Sequence, residues 1–99
     1  MTLKVAQKIA AVLAVGGAKN QSDILVNHLS RTERPHGVAA LSYGTERGAF
    51  VRKGGGVTGK GGRYHLLDPS PLGLTAREAV EQGEARKAWA EARRAARAS

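Results

Sequence analysis

The sequence predicts an α+β fold: three short helices, a β-hairpin and a C-terminal helical extension. Apolar residues recur at helical spacing in the first part of the chain, and two β-prone segments flank a loop with six glycines in residues 54–62. A helix-starting motif then opens the last quarter of the chain at Thr75. The chain has 99 residues, enough for one hydrophobic core. We expect residues 1–74 to form the domain and residues 75–99 the extension.

The first predicted helix starts near Leu3, with Thr2 as its N-cap and Gly16 and Gly17 as its stop. A short secretory signal is the alternative, because Lys4 precedes an apolar run that ends in small residues. No stretch reaches the roughly 18 apolar residues that a membrane span needs. The side expected to face the core is Leu3, Ala6, Ile9, Ala10 and Leu13, and the opposite side is Lys4, Gln7, Lys8 and Ala11.

Two further helices are predicted before the hairpin. The second starts at Asn20 or Ser22 and runs to about Leu29. Pro35 suits the first turn of the third helix, because a missing N–H costs nothing there. Gly44 is expected to weaken that helix or end it early. The inward residues are expected to be Ile24, Leu25, His28 and Leu29 in the second helix, and Val38, Ala39 and Leu41 in the third.

The hairpin and the extension follow. Ala49–Val51 and Arg63–Leu67 are the predicted strands. The Thr75-x-x-Glu78 capping box starts the extension. Its apolar stripe changes sides at Gly83, so we expect a break there, with helices over 75–82 and 84–98. In the first helix Ala76, Ala79, Val80 and Gly83 share one face. The second is expected to bury little; it has an apolar side of Ala85, Ala88, Trp89, Ala92 and Ala96, with Arg86, Lys87, Arg93, Arg94 and Arg97 on its other side.

The charge of the chain points to an anionic partner. The formal net charge is +8, with 16 Lys and Arg against 8 Asp and Glu. Residues 31–64 hold seven basic and two acidic residues, and residues 47–63 hold no acid at all. A basic, glycine-rich loop can bring both side-chain cations and backbone N–H groups to phosphate oxygens. The alternative is that this run of charge is simply a solvated face.

The order of these parts resembles the winged helix-turn-helix family of DNA-binding proteins over residues 3–68. In that family the third helix runs into a glycine, a short apolar strand, a basic loop and a second strand. Here these parts are residues 41–47, Gly48, residues 49–52, residues 53–62 and residues 63–66. The chain departs from the family pattern at Gly44, where a large apolar residue is usual. The small size and the Ala-, Arg- and Gly-rich composition also resemble phage or mobile-element regulators.

This resemblance implies a regulator that binds double-stranded DNA, with helix three in the major groove and the hairpin on the backbone or in the minor groove. We expect a cytoplasmic protein. Whether the C-terminal helix mediates a homodimer stays open, and the alternatives are a protein-interaction module and an RNA- or ribosome-associated protein. The expected DNA-contacting residues are Arg34, His36, Ser42, Thr45 and Arg47 near helix three, and Arg52, Lys53, Lys60 and Arg63 in the hairpin.

We expect no enzymatic activity and no cofactor or metal. The chain has no cysteine, so thiol catalysis and thiolate metal sites are excluded. Gly54–Lys60 matches the phosphate-binding pattern G-x-x-x-x-G-K, but Gly61 stands where the motif needs Ser or Thr. A strand is also predicted after the pattern, where that motif requires a helix.

Overall fold

A computed structural model describes residues 1–55 and 62–98 of the chain, and these residues form an α+β fold. The helices are α1 (Thr2–Gly16), α2 (Gln21–Asp23), which continues as a π turn (Ile24–His28), α3 (Gly37–Glu46) and α4 (Ala76–Ala98). The strands are β1 (Lys19–Asn20), β2 (Phe50–Lys53) and β3 (Arg63–Leu66). Short 3₁₀ turns cover Arg34–His36 and Ser70–Leu72.

Helix α1 crosses the core and starts one residue earlier than predicted. Met1, not Thr2, is the N-cap, because the Val5 N–H bonds to the Met1 carbonyl at 3.0 Å and places Thr2 inside the first turn. Gly17 ends the helix with φ 77°, as expected. Leu3 is 42% exposed instead of buried, whereas Ala11 is buried because α4 crosses α1 there.

The sheet contains a third strand that the sequence analysis did not predict. β1 joins the hairpin on the β3 side, so the antiparallel order is β1–β3–β2. Lys19 pairs with Tyr64, and Asn20 with Arg63. Asn20 also caps α2, since its side chain accepts a hydrogen bond from the Asp23 N–H at 2.8 Å. One asparagine therefore ends β1 and starts α2, which fixes the second helix to the hairpin.

Helix α3 is rotated relative to its predicted orientation. Val38 is 53% exposed and Ala39 is also exposed, so both predictions of burial are wrong. The buried side consists of Gly37, Ala40, Leu41 and Gly44, at the i, i+3, i+4, i+7 spacing of one helix face. The glycines belong to this side because larger neighbours occupy the space beside them: the Leu25 side chain lies against Gly37, and the Phe50 ring lies against Gly44.

Gly44 does not end α3, which continues to Glu46. A Cβ at position 44 would overlap the ring of Phe50, and Phe50 is 1% exposed. The glycine lets the helix lie directly on this ring, and the gain in packing outweighs its low helix propensity. Arg47 is the C-cap, and Gly48 follows with φ 80°.

Helix α4 is continuous, so the predicted break at Gly83 is wrong. Gly83 is instead the point of closest approach to α1, where a Cβ would overlap the Ala11 carbonyl oxygen and the Val15 side chain. The capping box is confirmed: Thr75 Oγ1 accepts from the Glu78 N–H, and Glu78 Oε1 accepts from the Thr75 N–H, both at 3.0 Å.

The side of α4 that faces the domain contains only part of each apolar stripe that the periodicity indicates. The buried and half-buried positions are Ala79, Gly83, Arg86, Trp89, Ala90 and Arg93, whereas the exposed positions include Ala76, Val80, Ala85, Ala88, Ala92 and Ala96. Arg86 and Arg93 lie on the inner side because each finds an acceptor there. Arg93 Nη1 donates to the Leu29 carbonyl at 2.9 Å, and both arginines stack on the Trp89 ring.

Within residues 1–55 and 62–98, no helix has the length and apolar character that crossing a membrane requires.

Candidate nucleic-acid interface

The outer face of α3 carries two of the predicted DNA-contacting residues. Ser42 and Thr45 are exposed, and Val38 lies on the same face, one turn before Ser42 and two turns before Thr45. The Thr45 hydroxyl donates to the Leu41 carbonyl at 2.7 Å, so its proton is already used within the helix. Because the opposite face packs on Phe50 and the α1 core, this outer face is presented on a rigid support.

Arg34 and His36 lie in the 3₁₀ turn before α3, and Arg34 is already engaged. Its Nε donates to the Leu25 carbonyl at 2.9 Å and its Nη2 to the Val26 carbonyl at 3.4 Å. These carbonyls belong to the π turn after α2, so Arg34 links the end of the second helix to the turn that precedes α3. His36 is half-buried at the N-cap of α3.

Arg47 lies at the opposite end of α3. Its guanidinium stacks on the Tyr43 ring, 3.5 Å from the centroid, and its Nη1 donates to the Tyr43 carbonyl at 3.4 Å. A cation at the C-terminal end of a helix is favoured by the helix dipole. Arg47 therefore has a defined orientation and is still exposed.

The hairpin places two cations directly opposite each other. Lys53 pairs with Arg63 in the β2–β3 register, and both side chains are exposed. Like charges at directly opposed positions of a sheet are destabilising unless an anion lies between them. Lys60, which was also predicted to contact DNA, lies outside the described residues.

Arg52 connects the hairpin to α3. It pairs with Tyr64, and a Cβ at Gly62 would come within 2.7 Å of its Nε, so the absence of a side chain at Gly62 makes room for the guanidinium. Arg52 and Tyr64 form one wall of a shallow groove of about 290 Å³, and Ser42, Thr45 and Glu46 of α3 form the other. The groove joins the outer face of α3 to the side of the hairpin that carries Arg52, whereas the Lys53–Arg63 pair, one position further along the strands, projects from the other side of the sheet.

The hairpin and the end of α3 together are rich in positive charge that has no acidic partner. In the described part of the chain, no carboxylate lies within 4 Å of the side-chain nitrogens of Arg47, Arg52, Lys53 or Arg63. Glu46 is the acid on the groove wall, and it forms no ion pair with these residues either. The four cations thus keep their full charge for a ligand.

A buried ionic cluster, which the sequence analysis missed, supports α3 from behind. Glu33 is 4% exposed and forms ion pairs with Lys8 of α1 and with Arg86 of α4. Its Oε1 also accepts from the Ser30 N–H at 2.7 Å, and Ser30 Oγ accepts from the Glu33 N–H at 3.3 Å. This is a capping box, and the Ser30-x-x-Glu33 spacing was the sequence signal that could have revealed it.

The pKa of Glu33 reflects two opposing influences. Burial acts to raise the pKa, but the hydrogen bonds from Lys8 and Ser30 and the charge of Arg86 outweigh it and lower the pKa to about 2. The carboxylate is therefore ionised at neutral pH and holds the connector before α3 against both long helices.

The described residues contain no group of three or more His, Asp and Glu side chains arranged to hold a metal ion. Comparison of the chain with protein-family models, with curated proteins and with solved structures finds no match, so its function is inferred from its own residues.

Proposed function

We propose that this protein binds double-stranded DNA as a winged helix-turn-helix regulator, with α3 in the major groove and the β2–β3 hairpin on the phosphate backbone. The observation that carries the proposal is the opposed pair of Lys53 and Arg63, which has no carboxylate partner among the described residues. A phosphate placed between the two cations would remove their mutual repulsion.

The relation of the hairpin to α3 supports the same proposal. An α-helix fits the major groove of B-form DNA, and neighbouring basic residues then meet the flanking phosphates. Here the groove lined by Ser42 and Arg52 joins the helix to the hairpin, and Arg47 extends the positive surface at the end of α3. The strand order β1–β3–β2 is compatible with a winged helix.

The test is the salt dependence of binding to duplex DNA, measured by fluorescence anisotropy at several salt concentrations. Contacts from about five cations should give a log–log slope of about −4.5, since each phosphate contact contributes about −0.9. Replacing both Lys53 and Arg63 with Ala should weaken binding to every duplex and make the slope shallower by about 1.8.

The matched control removes two cations from α4 instead. Lys87 and Arg97 are exposed, and replacing both with Ala changes the net charge by the same amount. This variant should keep the wild-type slope. Equal slopes for the wild type and the Lys53, Arg63 variant would contradict the hairpin contact.

Two further ligands separate the alternatives. Single-stranded DNA and RNA of the same length should bind more weakly than duplex DNA, because neither offers the major groove of a B-form helix to α3. Tighter binding of RNA would favour the RNA- or ribosome-associated alternative. A lack of binding to all three would favour a protein-interaction module.

A further inference from the structure

The exposed face of α3 begins with apolar side chains. Val38 is 53% exposed in the first turn of α3, and Ala39 beside it is exposed as well. A valine in this position makes no contribution to the core, whose α3 side is formed by Ala40 and Leu41. The side chain is available to a ligand that approaches the helix from outside.

Helix α3 lacks the side chains that most often recognise purine bases. Residues 37–46 contain no Arg, Lys, Asn or Gln, which are the residues that form bidentate hydrogen bonds to guanine or adenine. Ser42 and Thr45 have only hydroxyl groups, and the Thr45 hydroxyl already donates within the helix. Glu46, the last residue of α3, can accept from cytosine, so at the N-terminal end of the helix the exposed side chains that remain for base recognition are the apolar ones.

The major groove offers one apolar group, the C5-methyl of thymine. Recognition helices contact base edges with their N-terminal residues, and Val38 and Ala39 occupy that end of α3. Arg52, the hairpin cation that lines the groove beside the outer face of α3, favours DNA over an uncharged partner here.

We propose that Val38, with Ala39 beside it, determines the sequence preference of the protein by contacting thymine methyl groups in the major groove. This inference rests on the proposed binding of double-stranded DNA and names the base feature that α3 recognises there. Arg47, at the other end of the helix, then contacts the backbone.

The test compares thymine with uracil, which lacks the C5-methyl but keeps every hydrogen-bonding group. Duplexes are first selected from a random pool with the wild-type protein, and each thymine of the selected site is then replaced by uracil. At one or two positions the affinity should fall about fourfold, the factor expected when one buried methyl group is lost.

The Val38→Ala variant should lose this discrimination, so that its affinities for the thymine and uracil duplexes become nearly equal. Val80→Ala is the matched control, because Val80 is 45% exposed on α4, and this variant should discriminate as the wild type does. Circular dichroism melting curves check that both variants are folded.

Four results would overturn the inference. If the wild type selects a site but binds its thymine and uracil forms equally, or if Val38→Ala keeps the discrimination, Val38 does not contact a methyl group, while the proposed binding of duplex DNA stands. If duplexes bind with no sequence preference, α3 does not read bases. If no duplex binds at all, the proposed function fails and the inference fails with it.

Discussion

Arg86 of α4 reaches Glu33 of the connector before α3 with both of its terminal nitrogens: Nη1 lies 3.1 Å from Oε1, and Nη2 lies 3.2 Å from Oε2. The two residues are 53 positions apart in the sequence. Lys8 of α1 contacts the same carboxylate. A single acidic side chain therefore joins three separate parts of the fold, and it does so behind the helix that we propose enters the major groove.

Replacing Glu33 with Gln should destabilise the protein by about 3 kcal/mol, because the change leaves the largely buried Arg86 without its charged partner. Urea unfolding at pH 7 measures the free energy of unfolding. Glu81→Gln is the control, since the Arg77–Glu81 pair is exposed and should contribute about 0.5 kcal/mol or less. Equal losses for the two variants would contradict a structural role for the buried pair.

The stability that Glu33 contributes should disappear at low pH. Its pKa is lowered from 4.5 to about 2 in the folded protein, so below pH 4.5 the unfolded chain takes up a proton that the folded chain does not. The stability that the ionised Glu33 carboxylate contributes is fully present above pH 4.5 and is lost as the pH falls towards 2. The difference in stability between the wild type and Glu33→Gln, measured by urea unfolding, should shrink over this range. A difference that stays constant would show that folding does not lower the pKa of Glu33.

The arginines of α4 explain why its buried side could not be predicted. Hydrophobic periodicity groups the alanines with Trp89 on one side of the helix and places Arg86 and Arg93 on the other, but it does not show which side packs on the domain. In the structure, each arginine finds an acceptor on a distant element, Glu33 and the Leu29 carbonyl, which a local pattern does not contain. The capping boxes of this fold, in contrast, are local, and the one at Thr75 was predicted correctly.

The candidate site, like α4, was predictable from the sequence only in part. The run of cations without acids, together with two β-prone segments, placed Arg52, Lys53 and Arg63 on the hairpin, where the structure has them. The use of Arg34 as a bridge to the π turn was not predictable, because it depends on how α2 ends. The exposure of Val38 was missed because the inner side of α3 is formed partly by glycine, which carries no hydrophobic signal.

Gly83→Ala should destabilise the protein even though alanine is the better helix former. The added methyl group overlaps the Ala11 carbonyl oxygen of α1, a backbone atom that cannot move without shifting the helix. Overpacking costs about 1–3 kcal/mol, whereas the gain in helix propensity is about 1 kcal/mol. We expect a net loss of up to about 2 kcal/mol in urea unfolding. Glu84→Ala, at the next and exposed position, is the control and should change stability by less than about 0.5 kcal/mol. A more stable Gly83→Ala variant would contradict the close crossing of α1 and α4.

The contact between Gly44 and Phe50 should appear as a coupling between two mutations. Gly44→Ala places a methyl group into the Phe50 ring, so it should destabilise the protein by about 2 kcal/mol. In a Phe50→Leu background the same change should cost less, because leucine lacks the outer ring atoms that the methyl group would meet. A double-mutant cycle measured by urea unfolding should therefore give a coupling energy of at least about 0.5 kcal/mol. The double variant should lose less stability than the sum of the losses of the two single variants. Additive losses would mean that the Phe50 ring does not lie against α3, and the outer face of the helix would then lack the rigid support that recognition of DNA requires.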